Sequence, residues 1–126
     1  MEWITEVGCV YGATITVPTI SSDTFAVTIQ LTDYAGNDLA VAGCVLAYIS
    51  STSTGLDSSD LTSEITITSG GDGSAMVSLA KYSWHLISEA DGDIAIDVTD
   101  TGTDAKYLVL VMPNGKLVVS GVLTFT

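Results

Sequence analysis

The sequence predicts an all-β protein, an antiparallel sandwich or barrel of eight to ten short strands. Every apolar segment repeats with a period of two, and none keeps a period of 3.6 over the length of a helix. Turn signals built from Gly, Asn, Asp and Pro recur about every ten residues. The polar half of the pattern is written in Ser and Thr: charged residues make up 14% of the chain against 47% hydrophobic. Thr suits a pleated, half-wet surface because its branched Cβ is at home in strands. Short, evenly spaced strands with no helix between them pack as a sandwich or close as a barrel.

The organising stretch runs from Phe25 to Ile49. Phe25, Val27, Ile29 and Leu31 alternate with Ala26, Thr28, Gln30 and Thr32, one face for a core and one for water. A polar corner, Asp33 to Asp38, follows with the Gly and Asn that a reversal needs. The chain then returns through Val41 to Ile49 as a more apolar strand. Strand, corner and strand read as the seed of an antiparallel sheet. Ahead of it, Trp3 to Tyr11 reads as a short strand or arm, broken at Gly12. Ala13 to Val17 is another short strand, ended by Pro18, which cannot donate to a ladder. Residues 1–23 are thus expected as an N-terminal strand or arm, and 24–126 as the sandwich, in one domain.

Beyond Ile49, Ser50 to Ser63 is a Ser/Thr-rich surface loop of a length that is usually functional or mobile. Glu64 to Thr68 is a short strand, 69–73 a tight turn, and Ser74 to Leu79 a strand with Ala75, Val77 and Leu79 on one side. Tyr82 to Glu89 sets Trp84 and Leu86 on one face and His85 and Ile87 on the other. Ile94, Ile96 and Val98 alternate with Ala95, Asp97 and Thr99. Two strands, Lys106 to Met112 and Lys116 to Phe125, flank Pro113-Asn114-Gly115, a clear hairpin signal.

At 126 residues one domain buries roughly two thirds of its unfolded surface, enough for a core without disulfides or metal. Fifteen acids face only Lys81, Lys106 and Lys116, for a net charge of −12. Nucleic acid and anionic membranes would be repelled, so neither is expected as a partner. Met1 to Glu6 is acidic where a secretory signal is basic, and no apolar run approaches a membrane span. Synthesis in a cytoplasm is therefore expected, with Cys9 and Cys44 as reduced, buried thiols.

Chemistry-bearing groups are thin. His85 stands alone in a strand, and no nucleophile elbow, zinc spacing or phosphate loop is present. Neither catalysis nor a cofactor is expected. Asp91, Asp93, Asp97, Asp100 and Asp104 form the one acidic cluster, and Asp91, Asp93 and Asp97 are its weak candidates for a divalent ion. Asp93 and Asp97 would share a strand face. The simpler expectation is a solvated acidic edge that discourages strand-to-strand aggregation.

Phe25 to Ala40, with its alternating strand running into Asp33-Tyr34-Ala35-Gly36-Asn37, resembles the strand–corner–strand of bacterial and phage immunoglobulin-like domains. Thr68 to Leu79 resembles their later turn and strand. The corner, Ala47 to Ser50, Leu86 to Asp93 and the Met112 to Lys116 hairpin are together similar to a family of small tailed-phage virion proteins. The resemblance covers the chain from Phe25 onward and carries over no catalytic residues. It implies an immunoglobulin-like sandwich and a non-enzymatic virion component. That component would be a capsid decoration or cement protein on the outer shell, or else a display module on head or tail that touches host glycans or receptors. The expected partners are the major capsid protein or another virion protein, and further copies of the chain, with a trimer suited to three-fold shell sites. Trp3, Ile4, Val7, Val10 and Tyr11 are the expected interface, because an exposed arm with strand propensity can add to a neighbour's sheet edge.

Overall fold

A computed structural model describes residues 10–19 and 22–126, and all regular structure among them is β. The strands are β1 (Gly12–Thr16), β2 (Thr24–Thr32), β3 (Cys44–Ser50), β4 (Thr66–Ile67), β5 (Ser74–Leu79), β6 (Ser83–Ile87), β7 (Asp93–Thr99), β8 (Ala105–Val111), β9 (Leu117–Val119) and β10 (Leu123–Thr124). One sheet has the order β1-β2-β7-β4. The other has the order β10-β8-β3-β6-β5, with β9 also on β8, and every ladder is antiparallel.

This is an immunoglobulin-like sandwich. In that frame the first, second, fifth and fourth strands share one sheet, and the third, sixth and seventh share the other. Here β1, β2, β7 and β4 take the first set of places; β3, β8 and the β9–β10 pair take the second. The β5–β6 hairpin extends the second sheet beyond β3. β9 and β10 are one strand with an extra residue: the register on β8 shifts by one between Val119 and Leu123. At the break the Ser120 hydroxyl accepts the Leu108 N–H at 2.9 Å, replacing a ladder carbonyl.

The alternation read from the sequence holds along β2, where Phe25, Val27, Ile29 and Leu31 are buried and Ala26 and Thr28 are exposed. Ile94, Ile96 and Val98 of β7 extend that stripe sideways. Val45, Ala47 and Ile49, with Trp84, Leu86, Leu108 and Leu110, cover it from the second sheet. Burying each large apolar side chain contributes about 1.5–3 kcal/mol. Phe25 and Phe125 close one end edge-to-face, with ring centroids 5.2 Å apart.

The corner after β2 corrects the expected hairpin: β2 and β3 lie in opposite sheets. Asp33 Oδ1 accepts the Ala35 and Asn37 N–H groups, both at 3.0 Å, and the Leu39 N–H returns to the Leu31 carbonyl at 3.0 Å. The corner thus folds back on β2 itself. Buried Leu39 then plugs the end of the core, and the chain crosses to the second sheet, entering β3 at Cys44 rather than at Val41. At the crossing, a Cβ on Gly43 would stand 2.8 Å from a Leu39 methyl and 2.4 Å from a Val10 methyl. Ser88 holds this point from the second sheet by accepting the Gly43 N–H at 2.8 Å. Cys44 is exposed and not buried as expected, while Cys9 lies outside the described residues.

The segment before Phe25 belongs to the sandwich and is not a separate arm as far as it is described. β1 pairs with β2 through five residue pairs, and Ser22 makes a parallel bridge to Phe125. The acids after Glu89 are not a sheet edge either, because β7 lies between β2 and β4. Asp100, expected in water, is buried and paired with Lys106 at 2.5 Å. Continuing the two-residue period explains this: Asp100 is the next inward position after Val98, and Lys106 the one before Leu108. Both charges meet where the chain crosses from β7 to β8, and Lys106 also donates to the Asp60 carbonyl.

Removing Asp100 leaves the buried Lys106 ammonium with only the exposed Asp104 carboxylate, 3.8 Å away, and breaking a buried pair costs about 3–5 kcal/mol. Urea unfolding of Asp100→Ala should show a loss of that order. Asp100→Leu combined with Lys106→Met should recover most of it, since an apolar pair strands no charge.

Candidate functional site

Outward-facing residues of the second sheet follow from the strand registers. Across β9, β8, β3, β6 and β5 run Val119 and Leu117, Val109 and Val111, Tyr48 and Leu46, Ser83 and His85, and Met76. None of these five strands contains an Asp or Glu, although the chain carries fifteen acids. The face is apolar and half-buried, and the carboxylate that borders it, Asp57, comes from the loop after β3 and not from the sheet. Its two flanking lysines, Lys81 and Lys116, precede Tyr82 and Leu117.

The Ser/Thr-rich loop after β3 folds back over this face. Gly55 is buried at φ +72°, a conformation that favours glycine, and a Cβ there would come within 3.2–3.3 Å of Val109 and Val119. The Tyr48 hydroxyl donates to the Gly55 carbonyl, and the Ser59 N–H returns to the Ile49 carbonyl at 2.8 Å. Asp57 ties the base of the loop, accepting the hydroxyls of Ser50 and Ser51 and the Ser51 N–H at 3.1 Å. The loop is therefore pinned, and its polar composition serves to build it. Leu56, at its tip, is 81% exposed. Leu46, Tyr48, Leu56, Leu79, Tyr82 and Leu117, together with Asp57, line an open groove of about 700 Å³ between the loop and the hairpin.

The hydroxyls of Ser50 and Ser51 hold the Asp57 carboxyl down to about 2. Burial, and then the Asp57 charge, push the Tyr48 phenol up. His85 has Leu46 and Met76 as cross-strand neighbours, so the register gives its imidazole no acid or nucleophile to work with.

The acids gather elsewhere. Glu89 is pushed up, first by its hydrogen bond with Asp72 and then by the charges of Asp72, Asp91 and Asp93. Asp93 is pushed up by partial burial and then by Asp91, Asp72 and Asp38. Asp38, Glu89, Asp91 and Asp93 border a depression that also includes Gln30, Leu39 and Ser88. Asp97 shares the outward face of β7 with Asp93, as expected, but its carboxylate is bonded by the Thr68 hydroxyl at 2.9 Å. The candidate set Asp91, Asp93 and Asp97 is not drawn together. Among the described residues no group of three or more His, Cys, Asp or Glu side chains is arranged to hold a metal ion.

Of the expected interface residues, Trp3, Ile4 and Val7 lie outside the described residues. Val10 packs against the chain's own core. Tyr11 donates its N–H to the Thr32 carbonyl at 2.9 Å and meets the Tyr34 ring edge-on, with centroids 5.0 Å apart. The apolar sheet face was not anticipated from the sequence. Its signal was present: strands on one half of the chain's alternation carry apolar residues on both faces, as in Val109-Leu110-Val111.

No family model matches the chain. No curated protein matches it either. Among solved structures, the chain is similar to a cohesin module from a Clostridium perfringens family 33 glycoside hydrolase. Sequence identity is 12%, the TM-score is 0.44, and the alignment covers 94% of this chain and 98% of that one.

Two titrations check this electrostatic picture. The folded-state value of Asp57 lies below the ordinary carboxylate value of about 3.9. Its contribution to stability is therefore present above that value and lost as pH falls toward about 2. The Ser51 amide shift should titrate near that lower value, and Asp57→Ala should speed hydrogen exchange at Gly55 and Leu56. A midpoint near 3.9 would mean that the hydroxyl contacts do not form.

Glu89 and Asp93 work in the opposite sense. With folded-state values raised, the folded chain binds more protons than the unfolded one just above the ordinary carboxylate range. Stability then falls as pH rises through that window. Asp93→Asn should raise the melting temperature near pH 7, and the gain should vanish near pH 4.

Proposed function

We propose that this chain is a non-catalytic structural accessory protein of a tailed-phage virion, decorating the capsid exterior as a homo-oligomer. It seats on a shell protein through the apolar outer face of its second sheet. One observation carries the reading: a molecule with a net charge of −12 presents a groove-bearing sheet face whose strands contain no carboxylate. An apolar, charge-depleted centre with a polar rim is how protein interfaces are built. Leu56, Tyr82 and Leu79 stand proud of it as anchors.

The virion assignment comes from the resemblance of the Asp33 to Asp38 corner and the Met112 to Lys116 hairpin to phage proteins; charge narrows the location. Packaged DNA would repel so acidic a chain, which favours the outside of the shell. The acids around Glu89 and the Asp93–Asp97 face of the first sheet then turn toward solvent or toward basic patches on neighbouring subunits. A protein that binds only the assembled shell stabilises it by linkage.

Particles assembled without the protein should form but release DNA at a lower temperature than complete ones. The double variant Leu56→Asp, Leu117→Asp should fold, as judged by circular dichroism, yet fail to join particles. If the deficient particles are as robust as complete ones and instead fail to adsorb to host cells, the chain is a display module that contacts the host surface.

A further inference from the structure

We infer that a second copy of this chain pairs with the first along β5, antiparallel, about a two-fold axis near Met76. β5 ends the second sheet: β6 lies on one side, and among the described residues no strand lies on the other. Every β5 residue except Ala75 is exposed, with Met76 at 54%, Val77 at 52% and Leu79 at 60%. Ser74–Leu79 contains no charge and no proline, the devices by which natural sheet edges refuse partners. Only a one-residue bulge at Ser78 blunts it, leaving a short run suited to a reversible contact. The other edges are guarded. β4 has two residues, β1 runs into Pro18, and the β10 side is bridged by Ser22.

Charge at the two ends of β5 selects a second copy over a foreign strand. Two molecules at −12 repel each other, so self-association needs a local offset. Asp72 precedes the strand and Lys81 follows it. Antiparallel pairing centred on Met76 brings the other copy's Ala80 and Lys81 to the level of Asp72. Each lysine thereby approaches an acidic group crowded enough to push Glu89 up. Two-fold symmetry makes the contact twice and closes it, leaving neither β5 free.

The backbone of Lys81 points the same way. It sits at φ 66°, the one described residue other than glycine with positive φ. The turn is clamped there: its N–H donates to Glu64 Oε1 at 2.8 Å, and its carbonyl accepts the Leu61 N–H at 2.9 Å. Glycine would take this conformation without strain. A lysine held at a strained position marks a use for its ammonium outside the turn.

Light scattering and sedimentation of the full chain should show a concentration-dependent species of twice 13.0 kDa. Lys81→Gly should leave the monomer at least as stable to heat while weakening the dimer roughly tenfold. Lys81→Asp should weaken it further, and adding Asp72→Lys should restore it. Met76→Lys, which sets two ammonium groups face to face, should abolish the dimer; Val122→Lys, exposed on the other side of the sheet, should not. A chain that stays at 13.0 kDa at every concentration, or forms trimers, overturns the inference. So does a dimer indifferent to both Lys81→Gly and Met76→Lys. Lys81→Gly relaxes the turn, so it decides the matter even if Met76→Lys fails to fold.

Discussion

Four side chains on one face of β2 set the terms for everything else. Phe25, Val27, Ile29 and Leu31 are fully removed from water, and their own sheet cannot do that, because β1 and β7 lie beside them rather than above them. A second layer has to cover the stripe, about 10 Å away, as packed sheets are. The chain leaving Leu31 must therefore climb out of its own sheet. Leu39, Gly43 and the Ser88 hydroxyl are the parts of that climb: a plug, a position with no room for a Cβ, and a hydrogen bond from the far layer. The crossing from β7 to β8 is held by the buried Asp100–Lys106 pair. A pair of opposite charges in low dielectric tolerates little displacement, so it fixes the relation of the two layers at that end.

With the inner faces committed, the outer faces are free to differ, and they do. The first sheet shows Thr, Gln and the acids of β7 to water. The second sheet shows Leu46, Tyr48, Val111 and Leu117 beneath a loop pinned by Asp57. The carboxylates crowded around Glu89 and Asp93 raise the proton affinity of those two, while Asp57, surrounded by donors, is held low. The same residue type thus does opposite things at opposite ends, according to whether its neighbours are acids or hydroxyls. The two outer faces thus differ in both charge and apolar content.

The strands themselves were legible because alternation is local. Phe25 to Leu31, Trp84 and Leu86, and Ile94 to Val98 all bury the faces that their spacing assigns, and Pro113-Asn114-Gly115 turns where it should. The same period, carried past the end of β7, would have placed Asp100 and Lys106 inward. Their charge argued the other way, since burial is costly for either residue without its partner. Nor could spacing tell that the bulge at Ser78 would turn Leu79 to the outer face, opposite Ser83, while Val77 stays on the Trp84 side, or that both would remain exposed.

Sequence alone determined that this protein is all β, where its strands lie, and which face of each seeks cover, because a side-chain period of two is a property of the backbone itself. Tertiary structure alone decided which strands are neighbours. A corner that closes a hairpin and one that crosses between sheets use the same Asp, Gly and Asn chemistry, and only the packing of Leu39 and Gly43 distinguishes them. It also decided which acids stand together, which lysine is buried, and that β5 is left as an edge. Each of these depends on residues far apart in the chain meeting in space, and no local pattern records such a meeting.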